Sequence, residues 1–169
     1  MLRALAASAA LLSGAAFFGG SAQAAGYPER PINLIVSYGP GGGTDLVARM
    51  MAPFLQKYLG NDARIVVLNR PGAGGAIGFT ELARAQPDGY TIGFGAISTN
   101  ALNPHIYKSM AFDPRRDFTA ISLLGTSTIV LEVPAASPIK SVADLIAAAK
   151  KNPGMPYATA GAGTSMNLA

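Results

Sequence analysis

The sequence predicts an α/β fold: βαβ units wound around a mostly parallel sheet. Three observations carry that expectation. Short β-branched runs alternate with stretches whose apolar residues recur at helical spacing. Three of the runs lead into a glycine cluster and then a helix start. Half of the 169 residues are hydrophobic and only 13% are charged, which disfavours a disordered or fibrous chain.

The first 24 residues are set aside before the fold is built. Arg3 precedes an uncharged apolar run over residues 4–18, and Ser21-Ala22-Gln23-Ala24 supplies the small-x-small pattern of a signal-peptidase site. The run is too short and too rich in alanine for a membrane span. A secretory leader over residues 1–24, cut after Ala24, leaves 145 residues bound for the periplasm, with the formal charge lowered from +4 to +3 by the loss of Arg3.

In the exported part, Ile32-Asn33-Leu34-Ile35-Val36 reads as a strand entering the turn Gly39-Pro40-Gly41-Gly42-Gly43. Leu46, Val47, Met50, Met51, Phe54, Leu55 and Tyr58 then mark a helix, which Pro53 should kink or split. Thr44 or Asp45 is placed to cap it, with Asp45 the assigned helix cap. A second strand, 65–68, leads through Gly72-Ala73-Gly74-Gly75 into a helix bearing Ile77, Phe79, Leu82 and Ala83. The turn Pro87-Asp88-Gly89 opens a third strand, 90–94. A short helix over 98–107, interrupted at Asn103-Pro104, follows it. Further strands are expected at 120–124, 129–133 and 157–160. Between the last two, Ser141 starts a helix with Asp144 three residues on and Lys150-Lys151 at its end. Gly161-Ala162-Gly163-Thr164-Ser165 opens a last helix with room for one turn before Ala169, so the sequence reads as cut short.

Each glycine turn aims free backbone amides at the carboxyl end of a strand, where open α/β sheets bind ligands, and such amides suit an anion. The turns lack the Gly-Lys-Ser/Thr of a P-loop and the full G-x-G-x-x-G of a dinucleotide site, and no G-x-S-x-G elbow occurs. With no cysteine, thiolate zinc sites, cysteine nucleophiles and disulfides are excluded. The single histidine, His105, follows a proline and reads as a surface or turn residue. Basic runs no longer than two residues argue against nucleic-acid binding. The residues support binding, with no catalytic constellation, no metal site and no cofactor.

The spaced blocks Tyr27-Pro28, Pro40-Gly41-Gly42-Gly43-Thr44-Asp45 with Arg49, Asn69-Arg70-Pro71-Gly72-Ala73-Gly74-Gly75 with Gly78, Pro87-Asp88-Gly89-Tyr90-Thr91, Asn103-Pro104 with Tyr107, Asp113-Pro114 and Asp117-Phe118, and Gly161-Ala162-Gly163-Thr164-Ser165 cover nearly all of the exported sequence. In them the chain resembles the substrate-binding proteins of tripartite tricarboxylate transporters, the Bug-type extracytoplasmic solute receptors. The resemblance implies a periplasmic-binding-protein-like α/β fold of type II, a Venus flytrap whose two lobes close on a small carboxylate. Residues 25–130 would form a nearly complete first lobe and 131–169 the truncated start of the second.

The ligand-binding residues so implied are Gly41, Gly42, Gly43 and Thr44, then Gly72, Ala73, Gly74 and Gly75, with Ser98 and Thr99 lining, and Gly163, Thr164 and Ser165 facing them. Leu68 stands where the family commonly has glutamate, and Asn167 where histidine is frequent. The implied partners are a small carboxylate and the membrane subunits of a transporter, with the receptor a monomer. Two other readings stand beside this one: a receptor fragment with no competent site, and a secreted α/β enzyme using Asp45 and Thr44.

Overall fold

The computed structural model describes residues 26–60 and 62–168; the expected leader lies outside them. Its element order is β1 (Ile32–Val36), α1 (Gly43–Leu59), β2 (Ile65–Asn69), α2 (Ala76–Arg84), β3 (Thr91–Phe94), α3 (Asn103–Ile106), α4 (Val142–Lys151) and α5 (Ser165–Leu168). A 3₁₀ turn, Ala73–Gly75, precedes α2, and a π-helical turn, Ser98–Leu102, runs into α3. Among the described residues the sheet has three strands, all parallel, in the order β2-β1-β3. Ile32 pairs with Ile65 and Val36 with Asn69 on one side; Asn33 pairs with Thr91 and Val36 with Phe94 on the other.

The centre of the sheet is β1, and its near-continuous apolar sequence is what burial on both faces requires. Leu34 and Val36 pack with Ala48 of α1, and Ile65, Val67, Ile92 and Phe94 complete this core. On the opposite face, a side chain at Gly93 would collide with Leu82 of α2, so α2 packs there. The chain therefore leaves β1 over one face and arrives at β3 over the other. That reversal makes the carboxyl ends of β1 and β3 a topological switch point, where open α/β sheets form their binding crevice.

Three expectations change. The helix α1 runs unbroken through Pro53, which lies on its exposed side, where water can satisfy the carbonyl that proline leaves unpaired. The same helix buries Ala48 and Ala52 rather than its larger apolar stripe: Met50, Phe54 and Tyr58 are 69%, 61% and 80% exposed. Small residues let the helix approach the sheet closely, and that approach decided the face. The expected strands at 120–124, 129–133 and 157–160 do not form. A strand needs a hydrogen-bonding neighbour, and these segments have none; Ile121 and Leu123 are more than 80% exposed.

Beyond the sheet, Phe79, Phe112 and Phe118 stack at 5.1–6.0 Å and fasten residues 112–118 over α2. At the opposite end, the Arg30 guanidinium lies 4.0 Å over the Tyr90 ring and pairs with Asp88 at 2.7 Å. The cap of α4 forms as the sequence implies: Ser141 Oγ accepts the Asp144 amide at 3.1 Å and donates to Oδ2 of Asp144 at 2.8 Å. No helix of the described residues is long and apolar enough to cross a membrane.

Candidate functional site

At the end of β1 the first glycine turn feeds α1, whose N-cap is Gly42 with no side-chain cap. Asp45 was expected to cap the helix. It lies instead inside the first helical turn, 2% exposed, and reaches back to accept the Gly41 amide at 2.8 Å. It also accepts Arg49 Nε at 2.9 Å and Asn69 Nδ2 at 2.9 Å. Asn69 in turn receives Arg49 Nη2 at 2.9 Å and donates to the Tyr38 carbonyl at 3.0 Å. The Arg49 guanidinium, with the Gly41 amide and Asn69, lowers the Asp45 pKa to about 2. Gly41 is thus engaged within the chain. The amides of Gly43 and Thr44, first in the helix, have no partner among the described residues.

The second turn, after β2, is the most crowded. Gly74 and Gly75 both have positive φ, 60° and 92°. A Cβ on Gly75 would lie 2.5 Å from Thr99 Cγ2 and 3.1 Å from Ser37 Cβ; one on Gly78 would lie 2.8 Å from Ser37 Oγ. The absence of side chains here brings α2 against the end of β1 and the turn after β3. The Gly75 amide donates to Gly72 O at 2.9 Å, leaving the amides of Ala73 and Gly74 without partners among the described residues.

After β3, Ser98 and Thr99 are buried. Thr99 Oγ1 donates to Ala96 O at 2.9 Å and accepts its amide at 3.1 Å, which fixes the turn. Ser98 Oγ accepts the amide of Ser165 at 3.1 Å, a contact 67 residues apart in sequence. The third turn is seated there: Gly163 and Thr164 are buried, Thr164 Oγ1 donates to Gly161 O at 2.7 Å, and a Cβ on Gly74 would lie 2.7 Å from Gly163 O.

The structure thus brings Gly74, Gly75, Ser98, Thr99, Gly163, Thr164 and Ser165 together. It joins the first turn to them less directly, through Tyr38 and Asn69. Leu68 is half-buried in β2, and Asn167 Nδ2 donates to Tyr157 OH at 3.2 Å.

Two residues of this site were not singled out as ligands by the sequence. Ser37 and Asn103 are fully buried, and Ser37 Oγ and Asn103 Oδ1 are polar atoms without a hydrogen-bond partner. Ser37 follows a strand like any turn serine. Asn103-Pro104 marked a helix break, yet Pro104 occupies the first turn of α3, where it costs no hydrogen bond.

A cavity of about 560 Å³ lies away from the turns, between α2 and the sheet, lined by Asn33, Ile35, Ile77, Thr80, Glu81 and Arg84. No group of three His, Cys, Asp or Glu among the described residues could hold a metal ion, and His105 is exposed on α3. The converging groups are amides, hydroxyls and one carboxamide. This set can hold an anion by hydrogen bonds.

The fold, a parallel α/β unit with its site at the strand ends, is that of a periplasmic solute-binding protein. It aligns with a protein of R. palustris solved with adipate at a TM-score of 0.68 and 35% identity, covering 75% of this chain and 42% of that one. The periplasmic binding protein BugD aligns at a TM-score of 0.51 and 44% identity, over 54% of this chain and 30% of BugD. In sequence, a UPF0065 protein of Bordetella pertussis is 39% identical over 150 residues, 88% of this chain and 45% of the relative. Residues 47–169 match the model of the tripartite tricarboxylate transporter family receptors. The chain belongs to that family, which is one of receptors and not of enzymes. It spans under half the length of the Bordetella relative.

Proposed function

We propose that this chain serves as an extracytoplasmic solute receptor that takes a small carboxylate at the strand ends for delivery to a tripartite membrane transporter. The observation that carries the reading is the convergence of the second turn, Ser98 and the third turn at the switch point between β1 and β3. The amides of Gly43, Thr44, Ala73 and Gly74 are the available donors, and the hydroxyls of Ser37, Ser98 and Ser165 are the side-chain groups that would join them. Asp45 adds no repulsion of consequence, because Arg49 and the Gly41 amide already balance its charge.

In this reading residues 1–24 direct export, 25–130 form the first lobe, and 131–169 begin the second. The adipate held by the R. palustris relative makes dicarboxylates the first ligands to try. Isothermal titration of the exported chain against di- and tricarboxylates, amino acids and aromatic acids is expected to show binding of at least one carboxylate. It should weaken when Thr164→Val and Ser98→Ala are combined. Silence across the whole panel would overturn the reading.

A second reading is favoured by the exposure of residues 120–136 and of Val142, Ile146 and Ala149 on the apolar face of α4. In it, the chain is a receptor piece whose site is only half built. That reading expects the silent panel.

A further inference from the structure

We infer that Asn103 is a positioning residue for the carboxylate site, one that sets which way the second glycine turn presents its polar groups. The inference rests on the receptor reading above.

The peptide between Gly74 and Gly75 is held at both ends. Its amide donates to Gly72 O at 2.9 Å, and its carbonyl accepts Asn103 Nδ2 at 3.1 Å. Both glycines have positive φ and no Cβ, so apart from the amide's bond to Gly72 the local backbone offers little resistance to rotation of that peptide plane. If it rotates, the Gly74 carbonyl becomes a loose acceptor beside the amides of Ala73 and Gly74, and a carbonyl oxygen facing an anion site repels a carboxylate. Asn103 opposes this by donating to the carbonyl and holding it in place.

The orientation of the Asn103 amide follows from its neighbours. Gly74 O can only accept, so the atom facing it must be Nδ2. Oδ1 is thereby left buried without a partner, 3.2 Å from the point where a Gly74 Cβ would be. Gly163 O lies 2.7 Å from that same point. A buried acceptor left unpaired is unfavourable for folding, so this carboxamide is not explained by stability. Aspartate, the nearest isostere, would set a carboxylate against the Gly74 carbonyl oxygen. Only the carboxamide supplies a donor of that shape without a charge beside an anion site. The π-helical turn Ser98–Leu102 widens the backbone immediately before Asn103 and delivers it to this place.

The experiment compares the intact chain with Asn103→Asp and Asn103→Ala, using adipate as the probe. In ¹⁵N–¹H spectra without ligand, the Gly74 and Gly75 amides should shift or broaden in both variants while those of Gly42 and Gly43 hold still. Adipate affinity should fall at least tenfold at pH 7.5 in both. As pH is lowered toward 5.5, Asn103→Asp should regain affinity, since its protonated carboxyl can donate to Gly74 O. Asn103→Ala should not, and the wild type should change little. A role in packing alone gives no such pH-dependent rescue.

If the buried charge unfolds Asn103→Asp, the alanine variant still gives the spectral readout. Unmoved Gly74 and Gly75 resonances, or wild-type affinity in both variants, would overturn the inference. A wild type that ignores every carboxylate overturns the receptor role, whereas the glycine spectra still decide what Asn103 does.

Discussion

Asp45 and Asn69 are joined by a 2.9 Å hydrogen bond from Nδ2 to Oδ1, tying the first turn of α1 to the last residue of β2. Arg49 bridges the same two side chains from above, and Asn69 passes the connection to Tyr38. The network lies where three chain segments must keep their spacing for the glycine turns to meet. Replacing Asp45 with asparagine keeps the shape but removes the charge that Arg49 faces. A drop in Tm of several degrees is expected, with the Gly41 and Gly43 amides disturbed in ¹⁵N–¹H spectra. An unchanged Tm would show that the network is dispensable.

Acid should act through the same group. Asp45 has its pKa lowered to about 2, from an ordinary 3.8. A carboxylate whose folded pKa is depressed contributes stability that is complete above the unfolded value and disappears as pH falls through the folded one. Asp113, held down by Arg115, and Asp144, held down by Ser141, shift in the same direction. Urea denaturation should therefore give a flat midpoint from pH 7 to pH 5 and a falling one from pH 4 to pH 2. In Asp45→Asn the acid-side slope should be shallower.

Two glycines with similar φ should respond differently to alanine. At Gly41, φ is 81° and an added Cβ meets open space, so only the backbone cost of about 1 kcal/mol applies. At Gly75, φ is 92° and the Cβ would stand 2.5 Å from Thr99. Gly75→Ala should be clearly the more destabilising by equilibrium denaturation. Equal losses would mean that the second turn is looser than its contacts indicate.

The aromatic cluster offers a test of packing. Phe79 is 3% exposed and touches both Phe112 and Phe118. Phe79→Ala should cost about 3–5 kcal/mol, and proteolysis should then cut first within residues 109–118. Cleavage elsewhere first would show that the cluster does not anchor this segment.

Ile121, Leu123 and Leu131 are 84%, 81% and 70% exposed. Isolated chain should bind 8-anilinonaphthalene-1-sulfonate strongly. Changing all three to lysine should reduce that fluorescence without lowering Tm, because none of these side chains is packed. A falling Tm would place them in the core.

The elements that form the sheet were legible in the residues because each carries its own signal. Strand β1 is an apolar run with a glycine turn behind it, and the helix at Ser141 carries its cap and its terminal lysines. What depends on a neighbour was not legible. The apolar stripe of α1 pointed to one face, but Ala48 and Ala52 permitted the closer approach and set the other. The runs at 120–124 and 129–133 have strand composition, yet composition supplies no hydrogen-bonding partner. Nor does a local reading show that Asp45 serves Asn69, 24 residues away, or that Asn103 holds Gly74, 29 residues away. The first two glycine turns stood out, since each punctuates a strand-to-helix boundary.

Because β1 is both the first of the described strands and the middle one in their sheet, every ladder among them includes it. Loss of β2 or β3 would leave the other pair intact, but a proline or a register slip in β1 breaks both at once. The ordering also has a temporal side: no sheet can exist until residues near Asn69 have been made, and it is finished only at Phe94. Until residues near Asn69 have been made, the future centre of the sheet has no strand to pair with.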